Sequence, residues 1–283
     1  MGGTPVLRFR IVNVFARAER LSGNPLCVFE DGQGLDDATM QALARQFNLS
    51  ETTFILPSDK ATARLRIFTP AYEMPFAGHP TLGTSHVVRD LQACGDALTL
   101  EMKAGIIPVE AKGDRWTLSA KPAKVRAPKA SPDDIAAALG LAASDLASPP
   151  QWVSTGTEQL MVPVKSAAAV DKARPDGARF LHMDSDEPGK AYVFHDEGDA
   201  ARRVHARFFF PTATGVSEDP ATGSACANLG GWFAATRPGV EVEREVSQGE
   251  AVKRPSTLLL AVRGGAIFVG GRVVELGRGE IEL

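Results

Sequence analysis

Arg66-Ile67-Phe68-Thr69-Pro70 in the first half of the chain is answered by Arg207-Phe208-Phe209-Phe210-Pro211 in the second. The offset is 141 residues at Arg66/Arg207, Phe68/Phe209 and Pro70/Pro211, half the length of a 283-residue chain. Each pattern is followed by a glycine that opens a run of small residues. In the first half this run is Gly78-His79-Pro80-Thr81-Leu82-Gly83, and in the second Gly223-Ser224-Ala225-Cys226-Ala227-Asn228-Leu229-Gly230. Solenoids repeat every ~20–50 residues, so a long period used twice points instead to two lobes of one design. The register downstream has two solutions. Matching Gly78 to Gly223 (offset 145) requires a four-residue insertion in the second half, whereas Pro80/Pro220 and Gly83/Gly223 share an offset of 140.

Outward from the repeat, short period-two segments dominate. Residues 6–14, 26–29, 52–56 and 63–68 read as strands, as do 98–102, 106–111 and 115–120. Asp36-Asp37 opens an amphipathic helix over residues 38–47, with Asp as N-cap and Asn48 as a left-handed stop. Residues 81–91 are helical. Residues 121–132, rich in Pro, Lys and Ala, read as a linker, followed by a helix from Pro132 that Gly140 ends. Strands recur at 151–154, 160–164, 191–194 and 203–210, a helix begins near Ser224, and 258–262, 266–269 and 272–276 close the chain as hairpin strands. Many short strands with about two helices per half make an α+β chain of two pseudo-symmetric lobes, without regular βαβ alternation.

Composition narrows the function. A hydrophobic fraction of 44% and a charged fraction of 23% are those of a globular protein. A net charge of −3 offers no general attraction for nucleic acid or an anionic membrane, and no apolar run reaches the ~18 residues of a spanning helix. Three distant cysteines, Cys27, Cys94 and Cys226, form no Cys-x-x-Cys and suit small groups in the reducing cytoplasm. Phosphate-binding, dinucleotide-binding and Gly-x-Ser-x-Gly loops are missing. The five histidines, His182 among them, include no His-x-x-x-His pair, so no metal is expected, and nothing calls for an organic cofactor.

Three segments remain. Glu51 in Asn48-Leu49-Ser50-Glu51-Thr52 stands at the entry to a strand, where a lone glutamate is usually a solvated surface group. His79 follows Gly78 at the start of a helix, where a histidine is more often structural. Asp219 and Ser224 in Ser217-Glu218-Asp219-Pro220-Ala221-Thr222-Gly223-Ser224 are residue types that often serve only as caps. Together they say more. Helices beginning at Gly78-His79 and Gly223-Ser224 would point free N–H groups and positive dipole ends toward a shared cleft, a ready carboxylate site. An acidic group facing it is suited to moving a proton on a bound carboxylic acid.

These residues resemble the phenazine-biosynthesis PhzF-like isomerases, relatives of diaminopimelate epimerase and proline racemase. The resemblance covers nearly the whole chain, through Phe15 with Ser22-Gly23-Asn24-Pro25, the Ser50-Glu51-Thr52 segment, Phe68-Thr69-Pro70 with Gly78-His79-Pro80-Thr81, and Glu218-Asp219-Pro220-Ala221-Thr222-Gly223-Ser224-Ala225. Ser154-Thr155-Gly156 and Gln248-Gly249 also fit. The resemblance implies a diaminopimelate epimerase-like fold in which each lobe is a barrel-like sheet around a central helix. Residues 1–122 would form the first lobe and 123–283 the second, with the last strand, 272–283, returning to the first. It also implies a homodimer without cofactor, with Glu51 as acid/base, His79 and Asp219 as catalytic partners, and Gly78, Gly223 and Ser224 binding substrate.

The thiol pair of the racemase relatives is replaced by Ala77 and by Ala221-Thr222, which favours a carboxylate shuttle. The expected function is a cofactor-independent isomerase moving a proton on a small carboxylic acid. The alternatives are an epimerase or racemase pairing Glu51 with Asp219 or His79, and a non-catalytic metabolite-binding dimer.

Overall fold

A computed structural model of the protein describes residues 6–181, 189–212 and 215–283; His182 lies outside them. The chain divides into two compact units, Met1–Leu118 with Gly270–Leu283, and Ser119–Val269. The first contains β1 (Val6–Val14), β2 (Asn24–Phe29), α1 (Asp37–Phe47), β3 (Thr52–Leu56), β4 (Ala63–Phe68), β5 (Glu73–Met74), α2 (Gly78–Gln92), β6 (Ala97–Met102), β7 (Gly105–Lys112) and β8 (Arg115–Ala120). The second contains β9 (Lys124–Arg126), α3 (Pro132–Ala138), β10 (Gln151–Ser154), β11 (Glu158–Pro163), α4 (Ala167–Lys172), α5 (Gly177–Leu181), β12 (Ala191–Asp196), β13 (Arg203–Thr212), β14 (Gly215–Asp219), α6 (Gly223–Thr236), β15 (Val242–Gln248) and β16 (Ser256–Arg263). A last strand, β17 (Ala266–Glu282), starts in the second unit and ends in the first.

In the first unit each strand pairs with the next in the series β17, β1, β2, β3, β4, β6, β7, β8, and β8 pairs back with β17, closing an eight-stranded barrel. The pairs β2–β3 and β4–β6 are parallel. Parallel neighbours need a crossover connection, supplied here by α1 and α2. The second unit repeats the plan. Its series β9, β10, β11, β12, β13, β15, β16 has parallel pairs at β11–β12 and β13–β15, crossed by α4 with α5 and by α6. The expected α+β fold of two similar barrel-like units is therefore present.

The crossover helices α2 and α6 are the central ones. α2 packs against β1, β2, β3, β4 and β6, and α6 against β9, β10, β11, β15 and β16. Both are rich in Gly, Ala, Ser and Thr, because a helix enclosed by strands has room only for small side chains. A Cβ on Gly83 would stand 2.7 Å from Leu26 Cδ2, and one on Gly230 2.6 Å from Ile267 Cγ2. The outer faces are covered separately. In the first unit Met40, Leu43 and Ala44 of α1 join Phe29, Phe54 and Phe68. In the second, Ile135, Val170 and Phe180 of α3, α4 and α5 join Trp152, Val162 and Phe209. Strands covered on both faces lose alternation, and β11 is buried at every position after its first.

One ion pair occurs twice and decides the register of the duplication. Arg66 of β4 bonds both oxygens of Glu73 in β5, at 2.8 and 2.8 Å, and stacks over Phe68. Arg207 of β13 bonds both oxygens of Glu218 in β14, at 3.1 and 2.6 Å, and stacks over Phe209. Glu73 stands opposite Phe68 and Glu218 opposite Phe209. The arginines are 141 residues apart and the glutamates 145, so the four extra residues belong to the β13–β14 hairpin. Gly78 therefore corresponds to Gly223 and His79 to Ser224; the offset of 140 is excluded.

Two sequence expectations are corrected. The linker reading of residues 121–132 overlooks β9, which pairs with β10 and is pinned by Arg126 bonded to Glu158 and stacked over Trp152. The closing hairpin strands 266–269 and 272–276 are one strand, β17. Its glycines look like turn signals but serve close packing: a Cβ on Gly270 would stand 2.5 Å from the Trp116 carbonyl oxygen, and one on Gly279 2.5 Å from Phe9 Cζ.

Candidate active site

The residues singled out in the sequence fall into two groups, one in each unit. Glu51 is placed by what precedes it. Asn48 ends α1 in the left-handed conformation (φ 51°), and Leu49 turns into the core cluster beneath α1, so the chain enters β3 with Glu51 at its head. His79 is the second residue of α2. Its Nε2 lies 3.3 Å from Glu51 Oε2, with side chains 7% and 15% exposed. Neither is the solvated surface group that a lone Glu usually is.

The tautomer of His79 follows from its other bond. The ring hydrogen-bonds the backbone of Pro25, which has no N–H, so the ring must donate to the carbonyl. Nε2 makes no hydrogen bond, so the donor is Nδ1, and a neutral ring leaves the Nε2 lone pair facing Glu51. Burial lowers the His79 pKa to about 3, with the Pro25 carbonyl opposing in part. The pair is thus not an ion pair at neutral pH. The turn that presents Pro25 requires Gly23, at φ 81°; a Cβ there would stand 2.5 Å from the Val14 carbonyl oxygen.

A neutral buried His79 has a pH signature. The ring is expected to remain uncharged down to pH ~4, its Cε1 proton unmoved in an NMR titration. In the unfolded chain the same histidine takes a proton near pH ~6.5. The unfolded state then binds more protons, and stability contributed by this group falls as pH drops from ~6.5 toward 3. An ordinary midpoint near 6.5 in the folded protein would refute the assignment.

In the second unit Asp219 ends β14 and Ser224 is the second residue of α6. The cap expectation for these two fails. The N-cap is Thr222, and its side chain caps nothing because it is otherwise engaged. Its hydroxyl donates to Asp219 Oδ2 at 2.5 Å and accepts from Gln248 Nε2 at 3.1 Å. Gln248 also donates to the Asp219 carbonyl at 2.8 Å. This clamp needs Gly249, at φ 88°, where a Cβ would stand 2.5 Å from the Pro220 carbonyl oxygen.

The helix starts themselves distinguish α2 and α6. The helices α1, α3 and α4 carry a side-chain cap from Asp36, Ser131 and Ser166. The helix α2 starts from Ala77 and α6 from Thr222 with no side-chain cap and no acid in the first turn. Their first N–H groups, at the positive end of each dipole, receive no side-chain cap. The glycines Gly78 and Gly223 open these two helices.

Sequence reasoning missed Pro25, Thr222 and the amides Gln159 and Asn228. Gln159 Nε2 donates to Ser224 Oγ at 3.0 Å, and Asn228 Nδ2 donates to Gln159 Oε1 at 2.8 Å. An asparagine amid the Ala, Leu and Gly run of α6 was the available signal. Tyr192 was missed as well. Its hydroxyl is buried without a hydrogen-bond partner, and burial, with Cys226 and Asp219 nearby, keeps it protonated well above the usual tyrosine range. Burial likewise pushes the Cys27 and Cys226 thiols up, away from reactive thiolates. Among the described residues no cluster of His, Cys, Asp and Glu could hold a metal ion, and no helix is long and apolar enough to cross a membrane.

Known proteins share this chain over almost its whole length. Residues 12–276 match the family model PhzC-PhzF, described as phenazine biosynthesis-like protein. A Pasteurella multocida protein named an uncharacterized isomerase is 37% identical over 96% of this chain and 93% of its own. The trans-2,3-dihydro-3-hydroxyanthranilate isomerase of Pseudomonas aeruginosa is 34% identical over 98% of this chain and 99% of its own. The crystal structure of a Bacillus anthracis phenazine biosynthesis protein of the PhzF family is similar with a TM-score of 0.87 at 26% identity, covering 99% of this chain and 100% of that one. The chain belongs to the phenazine biosynthesis-like PhzC-PhzF family and is one of its isomerases.

Proposed function

We propose that the protein isomerises a small unsaturated carboxylic acid by moving one proton, with Glu51 as the carrier. The observation that carries this reading is the 3.3 Å contact between Glu51 and a neutral His79 at the uncapped start of α2. As carboxylate, Glu51 takes a proton from a carbon acidified by the substrate's double bond or carboxylate. As acid, held by the His79 lone pair, it returns that proton to another carbon while the double bond shifts. Atoms and electrons balance without an oxidant or reductant. The N–H groups of Gly78 in the first unit, and those of Gly223 with Ser224 in the second, are the proposed carboxylate-binding groups of their own units, and Asp219 assists in the second. Such a carrier works best when burial brings its pKa toward neutrality.

A two-base epimerase pairing Glu51 with Asp219 is the second reading, since each unit has a carboxylate near an uncapped helix start. The internal correspondence weighs against it. Thr52 stands opposite Phe68 as Ala191 stands opposite Phe209, so the counterpart of Glu51 is Lys190. One carrier fits this asymmetry better than two matched bases.

The test is incubation in D₂O with trans-2,3-dihydro-3-hydroxyanthranilate, the substrate in the name of the Pseudomonas relative, and a panel of small unsaturated and amino acids. Isomerised product carrying deuterium at the new C–H position is expected from at least one. Deuterium entering only at a stereocentre with the double bonds in place would establish the epimerase reading, and no wash-in from any would refute both.

A further inference from the structure

The second unit contains, beside Ser224, two buried amides that the proposed proton transfer does not use. Gln159 is 2% and Asn228 0% exposed, and an amide buried this way loses its water and must regain hydrogen bonds. Backbone groups fix which way each one points. The Thr155 N–H can only donate, so the Asn228 atom 2.8 Å from it is Oδ1, which also accepts from Thr155 Oγ1 at 2.8 Å. Asn228 Nδ2 therefore faces the other way, donating to the Thr157 carbonyl at 2.9 Å and to Gln159 Oε1 at 2.8 Å. That leaves Gln159 Nε2 facing Ser224 Oγ at 3.0 Å. An amide nitrogen can only donate, so the serine oxygen accepts and its own proton must point elsewhere.

The fold does not require this chain of amides. By the register that the repeated Arg–Glu pair establishes, Asn228 corresponds to Gly83. Leu160 stands opposite Ala191 as Cys27 stands opposite Thr52, so Gln159 corresponds to Leu26. In the first unit the same pair of positions is therefore Gly83 packed on Leu26, an apolar contact. His79, the counterpart of Ser224, gives its Nδ1 proton to the Pro25 carbonyl and keeps an acceptor toward Glu51. Ser224 does the reverse: it accepts from Gln159 and keeps a donor.

We propose that Gln159 and Asn228 form a polarity relay that locks Ser224 as a hydrogen-bond donor, so that the substrate group it meets is a carboxylate oxygen. The two amides are positioning residues acting through Ser224. They select an anionic acceptor over a ligand that would need to donate at this point. The inference rests on the proposed function for the identity of the site, and deepens it by assigning the polarity of one contact.

The probe is 2-aminobenzoate, a carboxylate on a six-membered ring, titrated against the full chain while the amides of residues 223–225 and the Gln159 side-chain amide are followed by NMR. In the wild-type protein the Gln159 amide protons are expected to shift on saturation. Ser224→Ala is expected to weaken binding about 10- to 100-fold, the range of a hydrogen bond to a charged group. Gln159→Glu should weaken it as much, because its carboxylate accepts from both Asn228 and Ser224 and takes the serine proton. The uncharged Gln159→Leu should weaken it less, and should add nothing in the Ser224→Ala background. A residue that only filled space would give additive losses there. Wild-type affinity in both Gln159 variants, additive losses, an unmoved Gln159 amide, or no binding of the probe by wild type would each overturn the relay. Glu51→Gln should bind the probe as wild type does. If that variant kept full deuterium exchange while the Gln159 effects held, the proton-carrier assignment would fail and the relay would stand.

Discussion

Glu51→Gln is expected to fold as wild type does and to lose isomerisation by about 10²–10⁴-fold, or about 3–5 kcal/mol in barrier, the usual loss of a positioned acid/base. The amide matches the carboxyl group in size, and its N–H can donate to the Nε2 lone pair of His79, so the buried contact survives. What it cannot do is accept a proton from carbon. Stopped assays and deuterium wash-in with a confirmed substrate measure the loss, and the amide spectrum checks the fold. His79→Gln and Asp219→Asn should cost less if they hold and assist, and as much as Glu51→Gln if two bases act in turn. The ratio of the Asp219 loss to the Glu51 loss therefore separates the two enzyme readings. Retention of full exchange by Glu51→Gln would remove Glu51 from the role.

The parts of this design that could be read from sequence are those whose causes are local. Asp36 and Asn48 bound α1 because capping acts over three residues. His79 and Ser224 stood out because glycine-led helix starts are written in consecutive residues, and Glu51 and Asp219 because each stands in a short polar segment at one end of a strand. What escaped had causes far away in the chain. The strand β15 was not anticipated because its inward positions read Val242, Arg244, Val246, Gln248, which breaks apolar alternation. Arg244 can turn inward because Asp196, Asp199 and the Phe233 ring receive it, and Gln248 because Asp219 and Thr222 do. The two registers of the repeat were equal in sequence, and only the Arg207–Glu218 bond separated them. Gln159 and Asn228 are 69 residues apart, and nothing near either one announces the other.

Arg207→Met should strongly destabilise the second unit, by about 3–5 kcal/mol, the range found when one partner of a buried ion pair is removed. The side chains of Arg207 and Glu218 are 7% and 8% exposed. Besides Glu218, the guanidinium bonds the Ala173 carbonyl at 2.8 Å and the Asp171 carbonyl at 3.2 Å. Methionine fills the space over Phe209 but leaves the buried Glu218 carboxylate without its donor, while the Asp171 and Ala173 carbonyls keep only Arg174 Nη1, each at 2.7 Å. The matching change in the first unit should cost less. There Glu73 keeps Lys103 at 2.5 Å, and the side chain of Asp37, the other acid that Arg66 holds, is 85% exposed and can turn to water. Urea unfolding of Arg207→Met and Arg66→Met, compared at equal slope, measures the difference. Removing both partners, as Arg207→Met with Glu218→Leu, should recover much of the loss, since a buried pair can be replaced by apolar groups at little net cost. The consequence reaches the candidate site because Asp219 follows Glu218 directly on β14. Arg207→Met should therefore also lower activity in the fraction that stays folded, and the apolar double variant should restore stability more fully than activity. Equal losses in the two arginine variants would show that the repeated ion pair does not carry unequal loads in the two units.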